Sequence, residues 1–122
     1  MKFVLLVAHG SRQEAANDEI RVLAKQLQAM NHPFAEIGCA FLEIAKPSIQ
    51  EALQKFIAIG AKEIVVIPYF LSAGRHVTLD IPEQVAQVNS QYPYVHIVIS
   101  SYLGASDMMA ELVIKQVLDA SS

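Results

Sequence analysis

The chain is poor in several residue types, and each shortage excludes something. It holds one cysteine, Cys39, no tryptophan, five glycines and five prolines in 122 residues. A lone cysteine cannot form an internal disulfide, so a reducing cytoplasm is the expected compartment. Glycine and proline are too sparse for a collagen-like or low-complexity chain. No window reaches the roughly 18 uninterrupted apolar residues of a membrane span. The start, Met1-Lys2 and a short apolar run into His9, carries no signal-peptide cleavage pattern. Nor is positive charge in excess: nine Lys and Arg stand against twelve Asp and Glu, a formal net charge of −3. An electrostatic footprint for nucleic acid is missing.

What is present is apolar, with 53% hydrophobic and 17% charged residues, a globular composition. A chain of this length buries roughly two-thirds of its unfolded surface and folds without a disulfide or metal. One domain over residues 1–122 is expected.

Apolar runs alternate with helical spacing. Phe3 to Ala8 is nearly all aliphatic, as a strand covered on both faces should be. Ala16, Ile20, Leu23, Ala24, Leu27 and Met30 recur at helical intervals, stopped near Asn31 and Pro33. Phe34 to Leu42 alternates, and Glu36 on its other side places this strand towards a sheet edge. Pro47 and the Ser48…Glu51 pair form a capping-box signal for a helix that Gly60 ends. Ile64 to Ile67 is a third buried run, followed by an irregular stretch from Tyr69 to Thr78. Asp80, Pro82 and Glu83 open a third helix, Val95 to Ile99 is a fourth strand, and a last helix spans Asp107 to about Asp119. This β-α-β-α-β-α-β-α order predicts an α/β fold: an open, parallel four-stranded sheet with helices on both faces, a flavodoxin-like three-layer sandwich.

In such sheets ligands bind outside the carboxyl ends of the strands, where the strand order reverses. With the order 2-1-3-4 that crevice lies between the first and third strands. His9, Gly10, Ser11 and Arg12 follow strand one, the loop with Gly74, Arg75 and His76 follows strand three, and Glu43 ends strand two. Two imidazoles and a carboxylate on one rim suit a first-row divalent ion. Three protein ligands leave coordination positions open. Spacing alone carries no local metal signature, so the convergence depends on the fold. Gly10-Ser11 equally suits a phosphate at a helix N-terminus. Other candidates read as structural: His32 in a solvated turn, His96 within strand four, Cys39 as a small buried residue, Met108 and Met109 as core packing or an oligomer contact, and Tyr92 and Tyr94 as packing groups. Arg12, Lys46 and Arg75 are ordinary surface charges unless their position beside the candidate ligands makes them anion anchors.

Val7-Ala8-His9-Gly10-Ser11-Arg12, Phe41-Leu42-Glu43 with Pro47 close behind, and Pro68-Tyr69-Phe70-Leu71 running through Gly74, His76 and Asp80-Ile81-Pro82 together resemble the signatures of the small class II tetrapyrrole chelatases. The likeness is to the short sirohydrochlorin cobaltochelatases of the CbiX/SirB type, from Phe3 to about Leu118. It implies a chelatase-like fold and insertion of a divalent metal, Co²⁺ first, into sirohydrochlorin on the route to cobalamin, with no cofactor beyond the metal substrate. Fe²⁺ or Ni²⁺ insertion, serving sirohaem or a nickel cofactor, suits the same ligands. His9, Glu43 and His76 are then the metal-binding and catalytic residues, Glu43 as third ligand or proton acceptor. Ser11, Arg12, Lys46 and Arg75 are candidates for the substrate carboxylates. The short form is expected to pair as a homodimer. Imidazoles bind metal only when unprotonated, so activity should fall below about pH 6.5. Two rivals remain: a non-catalytic metal- or tetrapyrrole-binding module, and a histidine phosphatase. The latter places an arginine just before its His-Gly pair, where this chain has Ala8.

Overall fold

The computed structural model describes residues 1–121. Its strands are β1 (Lys2–Ala8), β2 (Glu36–Phe41), β3 (Glu63–Pro68) and β4 (His96–Ile99), and its α-helices are α1 (Glu14–Ala29), α2 (Ile49–Ala58), α3 (Ile81–Gln91) and α4 (Met109–Ser121). The strands form one parallel sheet in the order β2-β1-β3-β4. This is the expected α/β architecture, with β2 at an edge and the switch point between β1 and β3.

One sheet face is closed by α2 and α3. Phe3, Leu5 and Val7 of β1 and Ile64 and Val66 of β3 pack there with Leu53, Phe56, Ile81, Val85 and Val88. Burying a side chain such as Leu5 or Leu53, both 0% exposed, stabilises by about 1.5–3 kcal/mol. On the other face α1 lies over β2 and sets Ala24 among the buried residues.

Several boundaries differ from the expectation. Strand β2 starts at Glu36 rather than Phe34, because the Phe34 amide is taken by His32 Nδ1 and pairing with β1 begins only at Ala35. Helical structure after β3 starts earlier than Asp80, in a π turn over His76–Asp80 that runs into α3. Pro82 has no N–H to close an α turn back onto Thr78, and the wider turn upstream takes its place. The last helix starts at Met109, two residues later than Asp107, and none of its residues is buried.

The capping box at α2 is present: Ser48 Oγ accepts from the Glu51 amide at 3.1 Å and the Ser48 amide donates to Glu51 Oε1 at 2.9 Å. The Ser48 amide and hydroxyl hold the Glu51 carboxyl below its usual range. Its stabilisation is therefore full at neutral pH and is lost as pH falls through that lowered value. Ser48→Ala is expected to lower stability by about 1 kcal/mol and to flatten this acid limb, both readable by urea denaturation at a series of pH values.

Candidate functional site

The loops after β1 and β2 are locked together by their backbones. The Leu42 amide donates to the Ala8 carbonyl at 2.9 Å and the Glu43 amide to the His9 carbonyl at 3.1 Å. Pairing thus continues past the ends of both strands and sets His9 beside Glu43. Gly10 makes this approach possible: it has φ +99°, and a Cβ there would lie 1.9 Å from the Glu43 carbonyl oxygen. The next residue in β2's loop, Ile44, has φ +72°, rare for a β-branched side chain. It forms the centre of a tight turn in which the Ala45 amide reaches the Glu43 carbonyl at 2.8 Å. Strain of this kind, of order 1–3 kcal/mol, clusters at functional sites.

His76 arrives from the loop after β3. Its ring lies 4.5 Å from that of His9, centroid to centroid, tilted by 40°, and 6.2 Å from Phe70. The candidate residues His9, Glu43 and His76 are thus brought together at the carboxyl edge of the sheet. His9 Nε2 is 2.8 Å from Glu43 Oε2, with the side chains 42% and 56% exposed. His76 Nδ1 is 2.8 Å from Asp80 Oδ2. A carboxylate only accepts, so Asp80 fixes the proton on Nδ1 and leaves the Nε2 lone pair for an external partner. Among the described residues, no group of three or more His, Cys, Asp or Glu already has the geometry of a metal site. In this structure His9 Nε2 and Glu43 Oε2 are bonded to each other. Asp80→Asn, which loses the charge that orients His76, is expected to weaken divalent-metal affinity by about 10-fold or more, measured by calorimetric titration.

A hollow of about 430 Å³ opens next to this cluster, lined by Leu42, Glu43, Gln50, His76, Asp80, Glu83, Gln84 and Gln87. Its wall carries three carboxylates and no Lys or Arg, so it favours a cation over an anion.

The proposed anion anchors are less assembled. Arg12 and Arg75 are exposed on the loops that carry His9 and His76. Lys46 lines a separate hollow with Glu36, Cys39, Glu51 and Lys55, apart from the acid-lined one. Ser11 holds its own loop in shape. Its amide donates to Asn17 Oδ1 and its carbonyl accepts from Asn17 Nδ2, both at 2.8 Å, while its hydroxyl accepts from the Gln13 amide at 3.0 Å. The Ser11 amide is therefore occupied within the loop. Burial raises the Cys39 thiol above its usual range, in keeping with an unreactive packing group.

Two residues that position the site went unread in the sequence. Asn17, 2% exposed, clamps the His9 loop from α1; its signal was a polar residue on the same helical stripe as Ile20 and Ala24. Arg21 bridges to Glu14 and Asp18, donates to the Lys46 carbonyl at 2.9 Å and lies 5.1 Å from the centre of the Phe41 ring. It ties α1 to the loop behind Glu43, a link that nothing in the local spacing announces.

A parallel α/β sheet with two imidazoles and a carboxylate gathered over its switch point defines a candidate metal-handling domain. Comparison with known proteins is specific: the CbiX family model matches residues 3–120, and the chain belongs to the CbiX family. It is 28% identical over 124 residues to a sirohydrochlorin cobaltochelatase of Methanosarcina acetivorans, covering 96% of this chain and 95% of that one. With a sirohydrochlorin ferrochelatase of Priestia megaterium it shares 29% identity over 118 residues, 96% of this chain and 44% of the relative. Among solved structures, SirB from Bacillus subtilis with Fe³⁺ superposes with a TM-score of 0.86 at 30% identity, covering 99% of this chain and 48% of that one. The chain spans about half the length of several curated relatives it matches.

Proposed function

We propose that the protein is a metal chelatase that inserts a divalent ion, Co²⁺ first, into sirohydrochlorin in the cytoplasm, on the route to cobalamin. The observation that carries this reading is the meeting of His9, Glu43 and His76 at the carboxyl edge of a CbiX-family sheet. His76 offers Nε2 to the ion, and His9 and Glu43 exchange the proton between them for it. Holding ion and ring together removes much of the entropic penalty of their encounter. As the metal enters the ring, the pyrrole nitrogens release their protons, for which Glu43 is the proposed acceptor. The two substrates are separated by charge. The acid-lined hollow attracts the cation, while the polycarboxylate ring is held at the rim by Arg12 and Arg75. Lys46 and the Ser11 hydroxyl contribute less to holding it.

The neighbour SirB has a chain about twice as long, of which this chain covers 48%. We take the second half here to be another copy of the chain, a homodimer. Iron is the principal alternative metal, since relatives of both the cobalt and the iron kind match.

The test is the absorption spectrum of sirohydrochlorin mixed with catalytic amounts of protein and Co²⁺, Fe²⁺ or Ni²⁺ in parallel. The expected result is many turnovers, fastest with Co²⁺. A spectral change that stops at one equivalent of protein makes the chain a carrier module, and rates no higher than without protein remove the proposal.

A further inference from the structure

Ile44 is held in a conformation that its own side chain disfavours. Its φ is +72°, and the Ala45 amide closes the turn back onto the Glu43 carbonyl at 2.8 Å. A three-residue turn with a positive φ at its centre is the rare, strained form of such turns. Glycine or asparagine adopts that φ readily, whereas a β-branched residue is among the least suited to it. Packing in an interior can offset strain of this kind, but Ile44 has no such packing. It is 59% exposed and stands outside both the apolar core and the partly buried residues packed on it.

The neighbourhood gives the side chain a role. Ile44 directly follows Glu43, whose carboxylate is bonded to His9. The loop that carries His76 has exposed aliphatic residues of its own. Leu79, 54% exposed, lies between His76 and Asp80 in the π turn. Leu71, 71% exposed, follows Phe70, whose ring is 6.2 Å from that of His76. The loops that build a cluster of imidazoles and carboxylates thus also carry aliphatic side chains that the chain leaves largely uncovered.

The geometry of metal insertion says what covers them. An ion reaches the central nitrogens of a tetrapyrrole along the normal to the ring. The groups that hand it over therefore face the flat side of the ring, and residues flanking them meet the carbon framework around its centre. That framework is apolar, and the carboxylates lie at its periphery. Sites for such ligands combine an apolar lining with a few polar groups that fix orientation. Arg12 and Arg75, exposed on the loops of His9 and His76, suit the periphery, and an aliphatic group beside Glu43 suits the face.

We propose that Ile44 is a substrate-contact residue: the strained turn holds its side chain outward against the flat apolar face of the tetrapyrrole, next to the point of metal entry. The proposal rests on the chelatase reading above and adds a residue that sets specificity. Arginines at the rim take any polycarboxylate, whereas Ile44 selects one with a flat apolar body.

The experiment compares the parent with Ile44→Gly and Ile44→Asn, which relieve the positive φ and remove the apolar contact together. Ile59→Asn is the control: Ile59 is exposed to a similar degree, 57%, but follows the end of α2, at the amino edge of the sheet. Urea denaturation is expected to show both Ile44 variants at least as stable as the parent. Steady-state insertion of Co²⁺, read by sirohydrochlorin absorbance, is expected to show the KM for sirohydrochlorin raised about 10-fold in both. That factor equals about 1.4 kcal/mol, in keeping with the loss of part of one aliphatic side chain's burial. The KM for Co²⁺ should stay unchanged, and Ile59→Asn should leave both constants as in the parent. A parent that turns over while the KM for sirohydrochlorin is unaltered in both Ile44 variants overturns the contact and leaves the chelatase reading standing. A rise in the KM for Co²⁺ alone does the same, since Ile44 would then act by supporting Glu43. Lower stability of both variants shows that the turn is not strained and also overturns the proposal. A parent without insertion overturns the chelatase reading and this contact with it.

Discussion

His76→Ala is expected to lower the rate of metal insertion by at least about 100-fold, the upper end of what loss of an outer-shell partner alone removes. The imidazole is the part of the cluster whose Nε2 is not engaged by a neighbouring side chain, because Asp80 holds the opposite nitrogen at 2.8 Å. Under the proposed function, without it the ion would meet only His9 and Glu43, which bind each other. His9→Ala is expected to act as strongly, since it removes one donor and releases Glu43 from its position. His32→Ala is the control. That ring faces the Gln28 carbonyl and the Phe34 amide in a turn at the end of α1, and its loss should leave the rate unchanged. Sirohydrochlorin absorbance under multiple-turnover conditions reads all three variants, and wild-type rates in both His9→Ala and His76→Ala would remove the proposed ligands.

Gly10→Ala is expected to destabilise the fold by about 3 kcal/mol or more. Forcing an L side chain to a positive φ contributes about 1–2 kcal/mol, and overpacking against backbone adds about 1–3 kcal/mol. The obstruction is the Glu43 carbonyl, 1.9 Å from the new Cβ, and neither backbone can give way without breaking the bonds between the two loops. Any folded fraction should bind metal poorly, because His9 and Glu43 are pushed apart. Gly74→Ala makes the contrast: that glycine has nothing within 4 Å of a Cβ, and its substitution should move the urea midpoint little. A small change for both would show that the loop contact is not under constraint.

The order of elements and the strand order were legible because buried parallel strands read as unbroken apolar runs, as in Phe3 to Ala8, while helices show their spacing. The placement of His9, Glu43 and His76 followed from that topology together with the resemblance, not from their own spacing. What stayed hidden depends on contacts between distant segments. No local rule gives Ile44 a positive φ, and a β-branched residue argues against it. Arg21 has the look of one more charge on a solvated helix face, and only the folded chain shows its reach to the Lys46 carbonyl. The last helix was legible as a helix over Asp107 to about Asp119. That none of its residues is buried was beyond any periodicity.

The cluster is mechanically lopsided. On one side, His9 and Glu43 are set by paired backbones, by the Asn17 clamp and by the Arg21 tie. On the other, His76 stands at the head of a π turn and its ring is steered by a carboxylate four residues on. Under the proposed function, the half set by paired backbones would keep its place, and ions of differing radius would be met by the His76 ring alone, a grip that would discriminate weakly by size.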